Sequence, residues 1–400
     1  MTSVAPTDAP VLDGDPFSME TLADPIPFDT AVREAGPMVW LAKYGVWATG
    51  RHAVVDGIFR SWGTFISSAG TGMTNTKRET TWRRPSVILD QDPPDHTATR
   101  AIMTRLLSPR TMRKLKEQFA AEADRLVESL VARGEFDAAL DLAEAFPLTV
   151  LPDAVGMARE GRQHLLPYSN VNFQAMGPRN RLWEEAVEQA GDAAEYVAWQ
   201  MRREALTDDG LGAEIYAAAD AGEITEEQAG LLVRTFLSAG VDTTVFGIGF
   251  ALHSLMQNPD QWALLRAQPS LAKHVFEETL RHTPPSPIIG RTTKTATEVD
   301  GIQLEADQKV LLFLAAANRD PARWPDPDRF DITRQASGHM AFGAGIHACV
   351  GQLIARLEAE CVLSAVARKV GSMELVGEPQ IKYSNWLRGL TSLPVRVTAA

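Results

Sequence analysis

Cysteine is nearly missing from this 400-residue chain: Cys349 and Cys361 are the only two. A disulfide scaffold, a four-cysteine zinc site and a four-cysteine iron–sulfur cluster are thereby excluded. Two lone thiols fit a reducing cytosol. Basic charge is also in deficit. The 39 Lys and Arg stand against 51 Asp and Glu, a formal net charge of −12. Such a chain is a poor nucleic-acid partner, because phosphate contact needs clustered cations, and a poor ligand for anionic membranes. No apolar run approaches the ~18 residues of a membrane span. The longest, Val310 to Ala317, fits a buried strand. The N-terminus lacks a basic stretch followed by an apolar one, so no signal peptide is expected. These absences lead to the expectation of a soluble, cytoplasmic protein without membrane or nucleic-acid partners.

What is present is ordinary globular composition, 45% apolar and 22% charged. That is apolar surface enough to fold. Length alone allows about two or three domains. No linker, low-complexity tract or solenoid repeat divides the chain, however. The expected organisation is a flexible arm over residues 1–16 and a single domain over 17–400.

Most of that domain reads as helix. Ser108 caps, Pro109 starts, and Leu115, Phe119, Ala123, Leu126 and Leu130 recur at helical spacing up to Gly134. Gln228 to Gln257 predicts one long, unusually apolar helix, buried nearly all round. Ser270–Thr283 and Gln352–Val370 also predict helices. Strands are few. Val39–Trp47 predicts a hairpin about Lys43-Tyr44-Gly45. Thr292–Val299 and Ile302–Leu304 flank Asp300-Gly301, a strong hairpin signal. Leu387–Val397 predicts another hairpin. The fold class is mainly α with small peripheral β-sheets.

The most informative segment is Phe342-Gly-Ala-Gly-Ile-His-Ala-Cys-Val-Gly351. Gly343 and Gly345 permit tight backbone geometry and close approach. Cys349 immediately precedes a helix pattern, where amide groups and the helix dipole stabilise a thiolate. A lone cysteine is commonly a small buried hydrophobe, and Cys361 takes that reading. Gly343, Gly345 and Ala348 also match a dinucleotide fingerprint. Only ~50 residues remain after it, too few for the second βαβ unit that the fingerprint needs. A zinc pair of His347 and Cys349 lacks two further local ligands.

This segment resembles the haem-binding loop of the cytochrome P-450 monooxygenases. The resemblance implies a single-domain fold with haem b between a long distal helix and the Cys-loop helix, O2 as co-substrate and Cys349 as axial thiolate. A thiolate ligand pushes electron density onto iron and favours O–O cleavage. Phe342, Gly343 and His347 belong to the same loop. Glu278 and Arg281 resemble the family's E-x-x-R pair, with Arg329 completing a structural ion network. Alone, such a pair is a common surface contact at i,i+3. His96 and Arg100, after Asp92-Pro-Pro, resemble the family's propionate-binding H-x-x-x-R, with Arg291 and His347 assisting. Asp242 and Thr243 match its acid–alcohol pair, which delivers protons to bound oxygen. Gly240 weakens the helix there, and Thr243 can back-bond and widen it.

The chain lacks flavin-domain length and cluster cysteines, so its electrons are expected from an iron–sulfur ferredoxin and an NAD(P)H-dependent flavin reductase. Arg110, Arg113, Lys114 and Lys116, with Arg356, form a basic patch suited to an acidic ferredoxin. The segments Trp82–Asp90, Ser169–Phe173 and Leu231–Gly240 resemble the bacterial members that oxidise para-substituted benzoates, notably the 4-methoxybenzoate O-demethylases. That likeness implies Arg83 and Ser86 on the substrate carboxylate, assisted by Arg234 and Thr235. Thr235, Ala239 and Thr243 share one helix face. Arg234 lies opposite Thr243 on an ideal helix, so it acts through a water or a distorted turn, or simply balances charge. Phe173 matches an aromatic pocket position. Met176, Ile289 and Asn172 depart from the pattern and imply a looser pocket, or room for a second ring substituent. The implied reaction is O-demethylation of 4-methoxybenzoate to 4-hydroxybenzoate and formaldehyde. A monooxygenase of a terpenoid, polyketide or other small lipophile is the nearest alternative, then a non-catalytic haem sensor or carrier, and more distantly a zinc hydrolase.

Overall fold

The computed structural model describes residues 9–400. About 52% of the chain is helical. The helices that position the site are α1 (Asp95–Leu106), α2 (Pro109–Arg133), α3 (Leu165–Gln174), α4 (Glu226–Ala239), α5 (Asp242–Gln257), α6 (Ala272–His282) and α7 (Gln352–Lys369). Local chemistry explains their limits. The Ser108 side chain accepts the Thr111 amide, Pro109 opens α2, and Gly134 ends it at φ 76°. The buried Phe119, Ala123, Val127 and Leu130 form the inner face of α2, which packs along α7. A capping box starts α4: Thr225 Oγ1 accepts the Gln228 amide at 3.1 Å, and Gln228 Oε1 accepts the Thr225 amide at 2.8 Å.

The long apolar helix expected from Gln228 to Gln257 is two helices, α4 and α5, broken at Gly240 and Val241. The 32-residue stretch Glu226–Gln257 is long and apolar enough by composition to cross a membrane, with mean hydropathy 1.4 over its best window. In the structure that window is 67% buried by the surrounding helices.

The strands form small peripheral sheets. The largest contains β1 (Val11–Leu12), β2 (Val39–Leu41), β3 (Val46–Thr49), β4 (Phe65–Ile66), β5 (Ile288–Thr293) and β6 (Lys309–Phe313), in the order β1-β2-β3-β6-β5-β4. The hairpin of β2 and β3 turns at Lys43-Tyr44-Gly45 as expected. A second hairpin joins Thr297–Val299 to Ile302–Leu304 through Asp300 and Gly301, both at positive φ. Thr292–Val299 is therefore not one strand, because Thr292 and Thr293 pair in β5. The Val310–Ala317 run is a strand only to Phe313, after which Leu314–Ala317 turn as helix. The expected Leu387–Val397 hairpin is absent. Leu390–Ser392 pairs with Gln380–Ile381, and Pro394–Ala399 inserts between Val370–Leu375 and Glu135–Asp137. Pro394, which has no N–H to give, stands instead at the start of the strand that runs to Ala399. The arm expected over residues 1–16 lies partly outside the described residues, and Val11–Leu12 within it is sheet, paired in parallel with β2.

Glu278 and Arg281 are fully buried on α6 and bond through two contacts of 2.8 Å. Arg281 also donates to the carbonyls of Asn318, Pro327 and Arg329. The further cation on Glu278 is Arg334, at 3.2 Å, not Arg329. Arg329 is exposed and supplies its carbonyl only. The turn after Trp324 folds Arg334 back over the carbonyls of Pro325, Asp326 and Arg329 and so onto Glu278. Removing one partner of a buried pair costs ~3–5 kcal/mol, whereas an exposed side chain costs within ~0.5 kcal/mol. Thermal unfolding should therefore rank the variants Glu278→Ala as most destabilised, Arg334→Ala next, and Arg329→Ala near wild type. Equal losses at Arg329 and Arg334 would contradict this network.

Candidate active site

Cys349 sits at the mouth of a turn that two glycines make possible. Gly343 and Gly345 have φ of 65° and 70°, a region that side chains disfavour. A Cβ on Gly345 would lie 2.7 Å from the Phe59 carbonyl oxygen. The Cys349 amide closes the loop on the Phe342 carbonyl at 2.7 Å. The Phe342 ring is covered by the Arg356 guanidinium at 4.5 Å, which Glu277 holds through two contacts of 2.5 and 3.1 Å. Burial pushes the Cys349 thiol up. The amides of Gly351 and Gln352 and the charges of Arg100 and Arg356 oppose that push.

The thiol opens onto a cavity of about 1420 Å³, its mouth included. Along one side stand polar groups that the protein itself does not satisfy. Among the described residues, His96 Nε2 and His347 Nδ1 are buried without a partner, and His347 Nε2 lies 3.7 Å from Asp92 Oδ1, beyond hydrogen-bond reach. The two rings lie 4.3 Å apart. Burial, aided by His347 and Arg100, pulls His96 down to about 4. Arg291 is 1% exposed and, among the described residues, its only hydrogen-bond acceptor is the adjacent Gly290 carbonyl. Arg100 donates to the Ala348 carbonyl, beside the thiol, at 2.5 Å. Buried donors left open in this way call for an anion. They would suit the carboxylates of a haem bound at Cys349. Asp92 anchors the set. Burial pushes its carboxyl up, but the nearby His347 ring and the bonds from Ser68 and Ser67 hold it well below the usual range.

Across the cavity the break between α4 and α5 exposes helix carbonyls. Thr243 Oγ1 donates to the Ala239 carbonyl at 3.0 Å and Thr244 Oγ1 to that of Gly240 at 3.4 Å. Gly240 is required: a Cβ there would meet the Phe236 carbonyl oxygen at 2.8 Å. Thr243 lines the cavity and Asp242 does not. Asp242 is 1% exposed beside Ser169, its Oδ1 has no partner, and burial pushes it up to about 7.

The far end of the cavity is rich in donors. Arg83, Ser86 and Arg234 all line it. Arg83 Nη2 donates to the buried Asp90 at 2.6 Å, and its other guanidinium N–H groups have no partner among the described residues. Ser86 Oγ accepts the amides of Ile88 and Leu89, which leaves its own proton to give away. Asp90 also takes the Ser86 amide and the Thr71 hydroxyl. Arg234 itself lines the cavity. The 83–90 loop wraps beside α4, and Arg234 Nη2 holds the carbonyls of Arg84 and Pro85 at 3.1 and 2.9 Å. Its Nε is buried and unpartnered. Thr235 differs from expectation, because its hydroxyl donates to the Leu231 carbonyl at 3.1 Å and offers the cavity an acceptor.

Asn172, Phe173, Met176, Ala239 and Ile289 join this lining, as do Arg100, Phe342, Gly343, His347 and Cys349. His96, Arg291 and Asp242 stand behind it. Sequence reasoning missed Ser238, Ser286 and Phe59 in the lining, and Asp90 and Lys309 behind it. Ser238 follows Thr235 at i+3, a helical spacing that signals it. Lys309 has no sequence signal. It is buried on β6, donates to the carbonyls of Ala69 and Gly70, and is pulled down to about 7 by burial. On the thiol side, Arg110, Arg113 and Lys114 are exposed. Lys116 is instead paired with Glu360 and Arg356 with Glu277, so two of the five expected docking charges are already matched.

Comparison with known proteins agrees with this geometry. The family described as cytochrome P-450 matches residues 152–268 and 265–381. The chain is 50% identical to cytochrome P-450 CYP199A2 of Rhodopseudomonas palustris, over 98% of this chain and 95% of that one. It is 31% identical to the erythromycin C-12 hydroxylase of Saccharopolyspora erythraea, over 86% of each. Among solved structures it is similar to cytochrome P-450 CREJ in complex with (4-ethylphenyl) dihydrogen phosphate. The TM-score is 0.87 and the identity 27%, covering 96% of this chain and 99% of that one.

The buried Asp242 gives a stability signature. Its folded pKa is raised from 3.8 to about 7, so its contribution is fully present below ~4 and is lost as pH rises through about 7. A lift of about three units corresponds to ~4 kcal/mol at most. Asp242→Asn should therefore match wild type in thermal stability near pH 4 and exceed it increasingly towards pH 8. A gain that does not depend on pH would refute this.

Proposed function

The chain belongs to the cytochrome P-450 family, whose monooxygenases bind haem b through a cysteine thiolate and use O2, and from that premise we propose that this member oxidises a para-substituted aromatic carboxylate. The preferred reaction is O-demethylation of 4-methoxybenzoate to 4-hydroxybenzoate and formaldehyde. In this reading Cys349 ligates the iron, and His96, Arg100, Arg291 and His347 hold the propionates. When bound, the haem supplies activation of O2 with two electrons, placing one oxygen atom in the substrate and releasing the other as water.

The observation that carries the substrate class is the donor set at the far end of the cavity. Arg83 pairs with the buried Asp90, whereas Arg234 is held by backbone carbonyls and has no carboxylate partner among the described residues, which leaves its charge to meet a carboxylate. Arg84 adds none, since Glu227 pairs with it. Free N–H groups of Arg83, the Ser86 proton and Arg234 Nε–H all suit an anion. The ring then lies along Phe173, Met176, Ala239 and Ile289, with its para substituent towards Cys349 and Thr243. Hydroxylation of an aryl methyl ether gives a hemiacetal, which collapses to a phenol and formaldehyde. Thr243 offers its hydroxyl at the oxygen site, and Asp242, poised near neutrality, holds the proton behind it.

P-450 enzymes of this kind use separate redox partners and small substrates. The electron donors proposed here are an iron–sulfur ferredoxin and an NAD(P)H-dependent flavin reductase, in the cytoplasm. The exposed Arg110, Arg113 and Lys114 on α2 supply the charge to steer an acidic ferredoxin to the thiol side.

Two measurements follow. Ferric holoenzyme titrated with 4-methoxybenzoate should shift its Soret band towards high spin, while 4-methoxybenzyl alcohol should not. Arg83→Ala should weaken the acid at least ~10-fold, since a hydrogen bond to a charged group contributes ~1.5–3 kcal/mol. An equal response to acid and alcohol would remove the carboxylate anchor. Reversing charge at Arg113 and Lys114 together should slow reduction by ferredoxin and flatten its salt dependence. Unchanged rates would remove the docking surface.

A further inference from the structure

We propose that Asn172 determines specificity by accepting a hydrogen bond from a second substituent of the substrate, a ring hydroxyl. The inference rests on the reading of this cavity as the site of an aromatic carboxylate and adds a second functional group to that substrate.

Asn172 lies on α3, 9% exposed, and lines the cavity beside Phe173 and Met176. Its Nδ2 donates to the Tyr168 carbonyl one turn earlier, at 2.7 Å. A carbonyl only accepts, so this bond settles which end of the amide is which. Oδ1 is left as the polar atom that Asn172 offers to the cavity, with no protein donor among the described residues. On α4, which packs against α3, Thr235 has given its proton to the Leu231 carbonyl and also offers only lone pairs. The cavity is therefore mixed in hydrogen-bond polarity. Arg83, Ser86 and Arg234 offer donors, Asn172 and Thr235 offer acceptors, and the hydroxyls of Ser238 and Ser286 can do either.

An acceptor in a mainly apolar pocket costs free energy unless a donor meets it. A methoxybenzoate anion carries no donor at all. A hydroxyl on the ring carries one, and a site built to bond a substrate hydroxyl discriminates against the analogue without it. The ligand class is thus a hydroxylated methoxybenzoate.

The test uses ferric holoenzyme and Soret titration with 4-methoxybenzoate and 3-hydroxy-4-methoxybenzoate. Wild type should bind the hydroxylated acid about 5-fold more tightly, the effect of one neutral hydrogen bond. Asn172→Leu, close in shape but without the acceptor, should abolish that preference. Asn172→Ala keeps the space and should abolish it too. A preference that survives in Asn172→Ala would mean that room, not a hydrogen bond, decides, and the proposal fails. No preference in wild type also overturns it. The neutral pair 4-methoxytoluene and 2-methoxy-5-methylphenol separates this inference from the carboxylate reading. Silence with both acids, together with an Asn172-dependent preference for the phenol, would overturn the carboxylate anchor and retain Asn172. Silence with both pairs overturns both.

Discussion

An anion buried in a largely apolar cavity has to be met by fixed donors, and most of this structure can be understood as meeting that requirement twice. On one side, His96, Arg100, Arg291 and His347 come from α1, β5 and the Cys loop, and several of their polar atoms have no partner within the protein. At the far end, Arg83, Ser86 and Arg234 come from the 83–90 loop and α4. Neither set is left to repel itself. Asp92 sits under the first and Asp90 under the second; against the cost of burial, hydrogen bonds lower Asp92, and the charge of Arg83 together with hydrogen bonds lowers Asp90. These two carboxylates orient the cations as well as offsetting them, and in a low-dielectric interior orientation is as consequential as charge.

The second constraint is the break between α4 and α5. A continuous helix would satisfy every carbonyl along the cavity wall and present no polar group there. Gly240 leaves no room for a side chain, Thr243 and Thr244 take up the carbonyls of Ala239 and Gly240, and the chain resumes as α5 with Asp242 in its first turn. The break preserves the shared face of Thr235, Ala239 and Thr243, which all line the cavity. It also separates the roles of the acid and the alcohol. Thr243 meets the cavity, while Asp242 is sealed beside Ser169, where burial keeps its proton near neutral pH.

The outer framework is conservative by comparison. The Glu278–Arg281 pair is fully buried and ties α6 to the turn that carries Arg334. Glu277, one residue earlier, holds Arg356 over Phe342. Successive carboxylates on α6 therefore brace the body of the fold and the Cys loop respectively.

The sequence by itself determined the features that depend on neighbours a few residues apart. The ends of α2, the hairpin turns at Gly45 and at Asp300-Gly301, the tight Cys loop and the helix weakness at Gly240 all follow from caps, glycine conformations and local hydrogen bonds. The family resemblance added the haem and the reaction class, through a motif in which those local requirements are concentrated. Only the tertiary structure decided where long side chains end. Arg334 reaches Glu278 while the better-matching Arg329 faces solvent. Arg234 lies on the wrong face of an ideal helix yet enters the cavity, because the 83–90 loop supplies carbonyls for it. Lys116 and Arg356 are lost to internal carboxylates, and Thr235 gives its proton to its own helix. The physical reason is common to all of these. Backbone preferences are set by near neighbours in the chain, whereas a flexible charged or hydroxyl side chain goes to whichever partner the packing of distant segments brings within hydrogen-bond reach.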